Sequence, residues 1–179
     1  MSLKRQQTPD PYDFLPVVPQ FSVTSDDLIP GGELPMAHVH SGASGEDQSP
    51  HLAWSGFPDA TRSFAVTVFD PDAPTACGWW HWQVINIPAD VVSVARDAGR
   101  PDGSGLPDGA VQMRNDYGYS GFGGAGPPPG DMPHRYYFVV HALDTERLDL
   151  GPDTTNAVVG FHLTAHAVAR ATLETTYSQ

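Results

Sequence analysis

Two short segments carry the side chains whose types and spacing could do chemistry. In the first, Asp70-Pro71-Asp72-Ala73-Pro74, prolines with a fixed φ hold two carboxylates in a stiff turn at the end of an apolar run. Such a turn can aim a carboxylate at a ligand, and the same two acids can equally serve only to cap it by accepting backbone amides. In the second, Gly123, Gly124 and Gly126 precede Pro127, Pro128 and Pro129, and then His134, Arg135 and Tyr136. Glycines can leave backbone amides pointing into a shared anion-binding concavity that prolines keep open, or the stretch can be only a loop. His81, His134, Tyr136 and backbone amides are donors suited to phosphate oxygens, and two histidines can gain charge as an anion enters. Asp70 would repel that phosphate unless it accepts from a histidine or pairs with a cationic end of the ligand, as a zwitterion offers. Trp79 can be an apolar wall, a cation-π face for an amine, or simply core.

Other candidates are weaker. His162 and His166 lie one helical turn apart, but Leu163, Thr164 and Ala165 stand between them and the glutamate of the metalloprotease pattern is missing. Packed or surface histidines are the plainer reading, for His38 and His40 as well, so no metal or other cofactor is expected. Cys77 is read as a small turn residue, and no GxSxG elbow singles out a serine nucleophile. An enzyme would have to use Asp70 and a histidine as general base on a water beside the anion site, a hydrolase without a metal set or an activated nucleophile.

Positioning these groups is the task of β-strands. Ser63 to Asp70 reads as a strand with Phe64, Val66 and Val68 on one face and Ala65, Thr67 and Phe69 on the other. Both faces are apolar enough to be covered, so the strand is central and Asp70 sits at its end. Trp80 to Ile87 reads as a second strand, with Trp80, Trp82 and Val84 on one face and His81 on the other. A third runs from Arg135 to Leu143, after a long loop from Gly118 to Pro133, and shorter ones are expected at Phe21 to Thr24 and His51 to Trp54. His40 to Gln48 reads as a flexible surface loop. Thr155 to Leu173 has helical spacing, with Val158, Phe161, Ala165, Val168 and Thr172 in one stripe, which predicts a carboxy-terminal helix covering the sheet.

The chain has 179 residues, with 18 glycines and 18 prolines, a composition suited to short strands and ordered turns. We expect a mainly β fold at the border of all-β and α+β. Residues 1–20 read as an extended proline-rich arm and 21–179 as a single domain. A net charge of −12 and no basic patch argue against nucleic acid and anionic lipid surfaces as partners. The lone Cys77 and the lack of a long apolar run point to the cytoplasm and to no stable membrane insertion.

The two motifs together resemble the phosphatidylethanolamine-binding proteins, in particular their bacterial Raf-kinase-inhibitor-like branch. The resemblance rests on Asp70-Pro71-Asp72-Ala73-Pro74 followed by Trp79-Trp80-His81-Trp82 and Asn86, and on Gly124-Ala125-Gly126-Pro127-Pro128-Pro129-Gly130 followed by His134-Arg135-Tyr136, with Ser49-Pro50 through Trp54 in support. It covers about Phe21 to Tyr177. It implies a central antiparallel sheet packed on a smaller one with a few peripheral helices, and an anion pocket where the motifs meet. Carried over, the ligand-binding residues would be Asp70, Trp79, His81, Gly124, Gly126, Pro127, Pro128, His134 and Tyr136, with Asp72, Pro74 and Arg135 as structural neighbours. A cis Ala73-Pro74 bond is implied as well. The chain has Phe122 where many members have a tyrosine, which removes any hydrogen bond from that hydroxyl. The resemblance also implies a binding protein for a small phosphate-bearing or zwitterionic ligand, with a regulatory or inhibitory role toward a kinase or protease. The resemblance also allows a homodimer, without deciding the oligomeric state.

Overall fold

Every residue of Ser63–Asp70 is buried, which only a strand covered on both faces allows. The computed structural model describes residues 5–179. Its strands are β1 (Ser22–Thr24), β2 (Leu52–Ser55), β3 (Ser63–Asp70), β4 (Trp79–Pro88), β5 (Ser93–Val94), β6 (Val111–Gln112), β7 (His134–Leu143) and β8 (Ala167–Tyr177), with one α-helix, α1 (Asn156–His166). They form two antiparallel sheets, a larger one in the order β6-β4-β3-β7-β8 and a smaller one in the order β1-β2-β5. The fold is mainly β, and β3 lies at the middle of the larger sheet.

The main core lies between the sheets. Phe64, Val66 and Val68 of β3 join Trp82, Val84, Phe138 and Val140 against Leu52, Trp54 and Val94 of the smaller sheet, and Trp54 meets Phe64 edge-on at 5.3 Å. Each such side chain contributes on the order of 2 kcal/mol by leaving water. The opposite face of the larger sheet buries Ala65, Ile85 and Leu143 under Val159 and Leu163 of α1. Among the described residues no helix is long and apolar enough to cross a membrane.

The structure corrects four expectations. The helix ends at His166, and the chain from Ala167 pairs with β7 along its whole length. Period-two burial of Ala169, Ala171, Leu173, Thr175 and Tyr177 against the main core outweighs the helical spacing. The helix also turns Val159 and Leu163 inward, leaving Val158 43% and Phe161 71% exposed. The second correction is in β4. The pairing with β3 steps from Val68↔Trp82 to Phe69↔Trp80, so His81 is an extra, bulged residue. Trp82 and Val84 therefore face the main core, whereas Trp80 stacks on Phe69 at 4.3 Å and reaches the other face beside Leu163.

Third, no described peptide bond is cis, Ala73-Pro74 included, and the ordinary trans form closes this turn. Fourth, the arm is docked rather than free. Residues 1–4 of it lie outside the described residues. Asp10 caps a single 3-10 turn at Pro11–Phe14, Arg170 Nη2 donates to Pro16 O at 2.9 Å, and the Arg170 guanidinium sits 5.5 Å from the Tyr12 ring centre.

Candidate functional site

The bulge in β4 shapes the site. Breaking strand alternation swings His81 toward the end of β3, where its side chain is buried. Its Nδ1 donates to the carbonyls of Gly123 at 2.8 Å and Gly124 at 3.2 Å, so in the neutral ring Nε2 carries the bare lone pair. That Nε2 is buried and has no hydrogen-bond partner. Burial lowers the His81 pKa, overcoming the Asp70 charge and the two carbonyls that would raise it, so the ring is neutral at pH 7.

A cavity of about 230 Å³ opens on this side chain, lined by Asp70, Ala73, Pro74, Thr75, Trp79, His81, Tyr117, Gly126 and Pro128. Of the ligand residues expected from sequence, Asp70, Trp79, His81, Gly126 and Pro128 thus share one wall, together with Pro74. Trp79 Nε1 is a further buried donor without a partner. Pro127 lines an adjoining groove with His40, Tyr117 and Pro129.

Asp70 fills both roles that its turn allowed. One carboxylate oxygen accepts the Asp72 amide at 2.7 Å, capping the turn, and the other takes His134 Nδ1 at 2.7 Å. His134 therefore stands behind Asp70 rather than in the cavity wall, with its Nε2 3.2 Å from Asp131. Burial opposes its charge, but the Asp70 hydrogen bond and charge and the Asp131 hydrogen bond outweigh it and raise its pKa. The ring is held between two carboxylates, which favour its protonated form. Asp72 is fully buried and forms a two-pronged pair with Arg135, at 2.7 Å to Nε and 2.9 Å to Nη2. Burial alone would raise the Asp72 pKa, and Arg135 brings it below the ordinary value. Tyr136 is also behind the wall, its ring 5.2 Å from His81 and its hydroxyl buried without a partner.

The glycine loop departs from the anion concavity. The Gly124 amide donates to Asp47 Oδ1 at 2.8 Å, the Gly123 amide to His81 O at 2.9 Å and the Ala125 amide to His38 O at 3.1 Å. These amides hold the loop to its neighbours and are not available to a ligand. Glycine is needed at 124 because a Cβ there would lie 2.3 Å from the Val39 carbonyl carbon and 2.4 Å from the His40 nitrogen. The stretch from His40 to Gln48, expected to be flexible, is the other half of this clamp: Asp47 also accepts the Ser41 amide.

Several site residues escaped the sequence reading, Thr75 and Asp131 among them, and two hold the site together. Tyr117 stacks on His40 at 4.4 Å, meets Trp79 edge-on at 5.2 Å and donates its hydroxyl to Gly124 O at 2.9 Å. The only hint was its place between Asp116 and Gly118, just ahead of the long loop. Asp47 had no signal, being one acid in a polar loop. Phe122 is buried against Trp82 in the main core and does not line the cavity, so the missing hydroxyl lies outside the pocket wall. Cys77 is exposed on a separate cleft beside Trp80. Among the described residues no group of three or more His, Cys, Asp or Glu could hold a metal; His162 and His166 stack in parallel, and His166 pairs with Asp144.

This architecture is found in known proteins. Residues 24–178 match the model of the family described as phosphatidylethanolamine-binding protein. The chain belongs to that family. It is 54% identical to the UPF0098 protein YbcL of Escherichia coli over 159 residues, covering 88% of this chain and 87% of that one. The crystal structure of YbcL, described as a new member of the mammalian PEBP family, matches with a TM-score of 0.86 at 52% identity, over 89% of this chain and 99% of that one. YbhB of E. coli is 48% identical, over 86% of this chain and 98% of its own. A PEBP homolog of Chlamydia trachomatis, CT736, matches with a TM-score of 0.74 at 30% identity, over 89% of this chain and 98% of its own. The docked arm, residues 5–20, lies ahead of the part matched to the PEBP family.

Proposed function

We propose that this PEBP-family protein binds a small phosphate-bearing or zwitterionic ligand of the phosphoethanolamine type, in the cytoplasm, and thereby regulates a partner such as a kinase or protease. The observation that carries the reading is the unpartnered His81 Nε2, on a ring held in place by its Nδ1 bond and lining a cavity together with Asp70. A buried polar atom without a partner is costly, and a ligand that supplies one recovers that cost. A protonated phosphate oxygen can donate to the bare Nε2, or the ring can take up a proton and donate to the anion. Trp79 Nε1 supplies a second donor. The ammonium end of a zwitterion finds Asp70 and the faces of Trp79 and Tyr117.

The cavity, about 230 Å³, is of a size suited to a headgroup. The partner role rests on family membership alone. Both Asp70 oxygens already accept hydrogen bonds, from the Asp72 amide and from His134, which makes the carboxylate a weaker general base for a water; we therefore favour binding over hydrolysis.

The test is phosphorus NMR or calorimetry with phosphate, phosphoethanolamine and O-phosphotyrosine, beside a His81→Ala control. Saturable binding that weakens at least about tenfold in the control is expected. Because anion binding draws a proton to a ring whose free pKa is lowered, affinity should rise as pH falls from 8 toward 6. Equal binding by His81→Ala, or none by the wild type, would sink the proposal.

A further inference from the structure

The cavity wall continues behind Asp70 into a chain of charges that leaves the family-matched part of the protein. Asp70 holds His134, His134 faces Asp131 at 3.2 Å, and Asp131 forms an ion pair with Arg5 of the arm at 2.9 Å. Asp131 is almost fully buried in this pair, and Arg5 also donates to the carbonyl of Asp72, the next acid of the pocket turn. Two further contacts fix the arm to the same turn: the Thr8 amide donates to Asp72 Oδ1 at 3.2 Å, and Arg135 donates to Thr8 O. We propose that Arg5 is a positioning residue for the pocket: by docking the arm on the Asp72–Asp131–His134 cluster it completes the charge balance behind Asp70 and strengthens binding of a phosphate-bearing ligand.

The physical argument is electrostatic. The groups facing His134 are Asp70 from β3, Asp131 from the preceding loop and Arg5 from the arm, with the Asp72–Arg135 pair beside them. With Arg5 docked and His134 protonated, Arg5, His134 and Arg135 stand against Asp70, Asp72 and Asp131, and the cluster is neutral. Without it the cluster carries an excess negative charge close behind the wall where the phosphate would sit, inside a molecule whose net charge is already −12. Arg5 also acts on the proton. Its charge works against protonation of His134, and it holds Asp131 well below the usual carboxylate range, so its loss should let His134 keep its proton to higher pH. Coupling of this kind is reciprocal: if the arm strengthens ligand binding, the ligand must strengthen arm docking.

The inference rests on the pocket reading for its ligand, and the experiment separates the two. Arg5→Ala and Arg5→Lys are compared with the full-length wild type in two measurements: calorimetry with inorganic phosphate and with phosphoethanolamine at low salt, and NMR titration of the His134 ring without ligand. Arg5→Ala should bind about three- to tenfold more weakly, Arg5→Lys should recover most of the loss, and the His134 titration should move to higher pH in Arg5→Ala only. A neighbour that merely packs would leave that titration where it is. Unchanged affinity together with an unchanged His134 titration overturns the proposal. If the wild type binds neither probe, the pocket reading fails, and the His134 titration alone still decides: a shift upholds the charge relay from arm to pocket, and no shift overturns it.

Discussion

The aspartate turn and the glycine loop look alike in sequence, both glycine- or proline-rich and both ending near a histidine, but they serve the site in different ways. The turn and the bulge after it deliver side chains to the cavity: Asp70, Trp79 and His81 all line it. The glycine loop delivers mostly backbone to other backbone. Gly124 gives its amide to Asp47 and its carbonyl to Tyr117, and it passes so close to Val39 and His40 that no Cβ fits. What the comparison teaches is that a glycine cluster beside a binding site can mark close packing of chains as readily as a ligand cradle.

Substitutions can break or sharpen this contrast. The largest effect is expected from Asp70→Ala, which leaves the buried His134 ring without its Nδ1 partner; unfolding in urea should show a loss of about 3–5 kcal/mol, and ligand binding should go with it. Gly124→Ala should lower stability by about 1–3 kcal/mol through the clash with Val39 and His40. If it kept full stability yet abolished phosphate binding, the loop would be a ligand cradle after all.

A pH series of melting temperatures tests the charges behind the wall. The raised pKa of His134 means that its contribution is complete below its unfolded value, about 6.5, and is lost as pH rises through the folded value. The lowered pKa values of Asp72 and Asp131 act oppositely: their contribution is present above about pH 4 and is lost as pH falls through the folded values. Relative to Asp70→Asn, the wild type should therefore lose stability as pH rises from about 6.5 through the folded value of His134. The smallest effect belongs to Phe122→Tyr. Its hydroxyl would enter the core beside Trp82, at a cost of about 1–2 kcal/mol, with phosphate and phosphoethanolamine affinity unchanged.

Much of this molecule was legible in the chain itself. The central strand from Ser63, the two motifs that identify the family and the stiff placement of Asp70 follow from period-two burial and from proline's fixed φ, which are local properties. Residues 167–177 were not, because their small and β-branched side chains satisfy helical and strand spacing alike until β7 offers a partner. Whether Trp80 and Trp82 share a face depends on a single bulged residue, and a pairing register involves two strands at once. The site divides in the same way. Sequence by itself pointed to some of the polar groups near the pocket, Asp70, His81 and His134 among them. Only the tertiary structure decided that His81 faces the cavity while His134 stands behind Asp70, that Asp47 takes the Gly124 amide, and that Arg5 reaches Asp131, because hydrogen-bond partners distant in the chain are chosen by packing and leave no trace in local spacing.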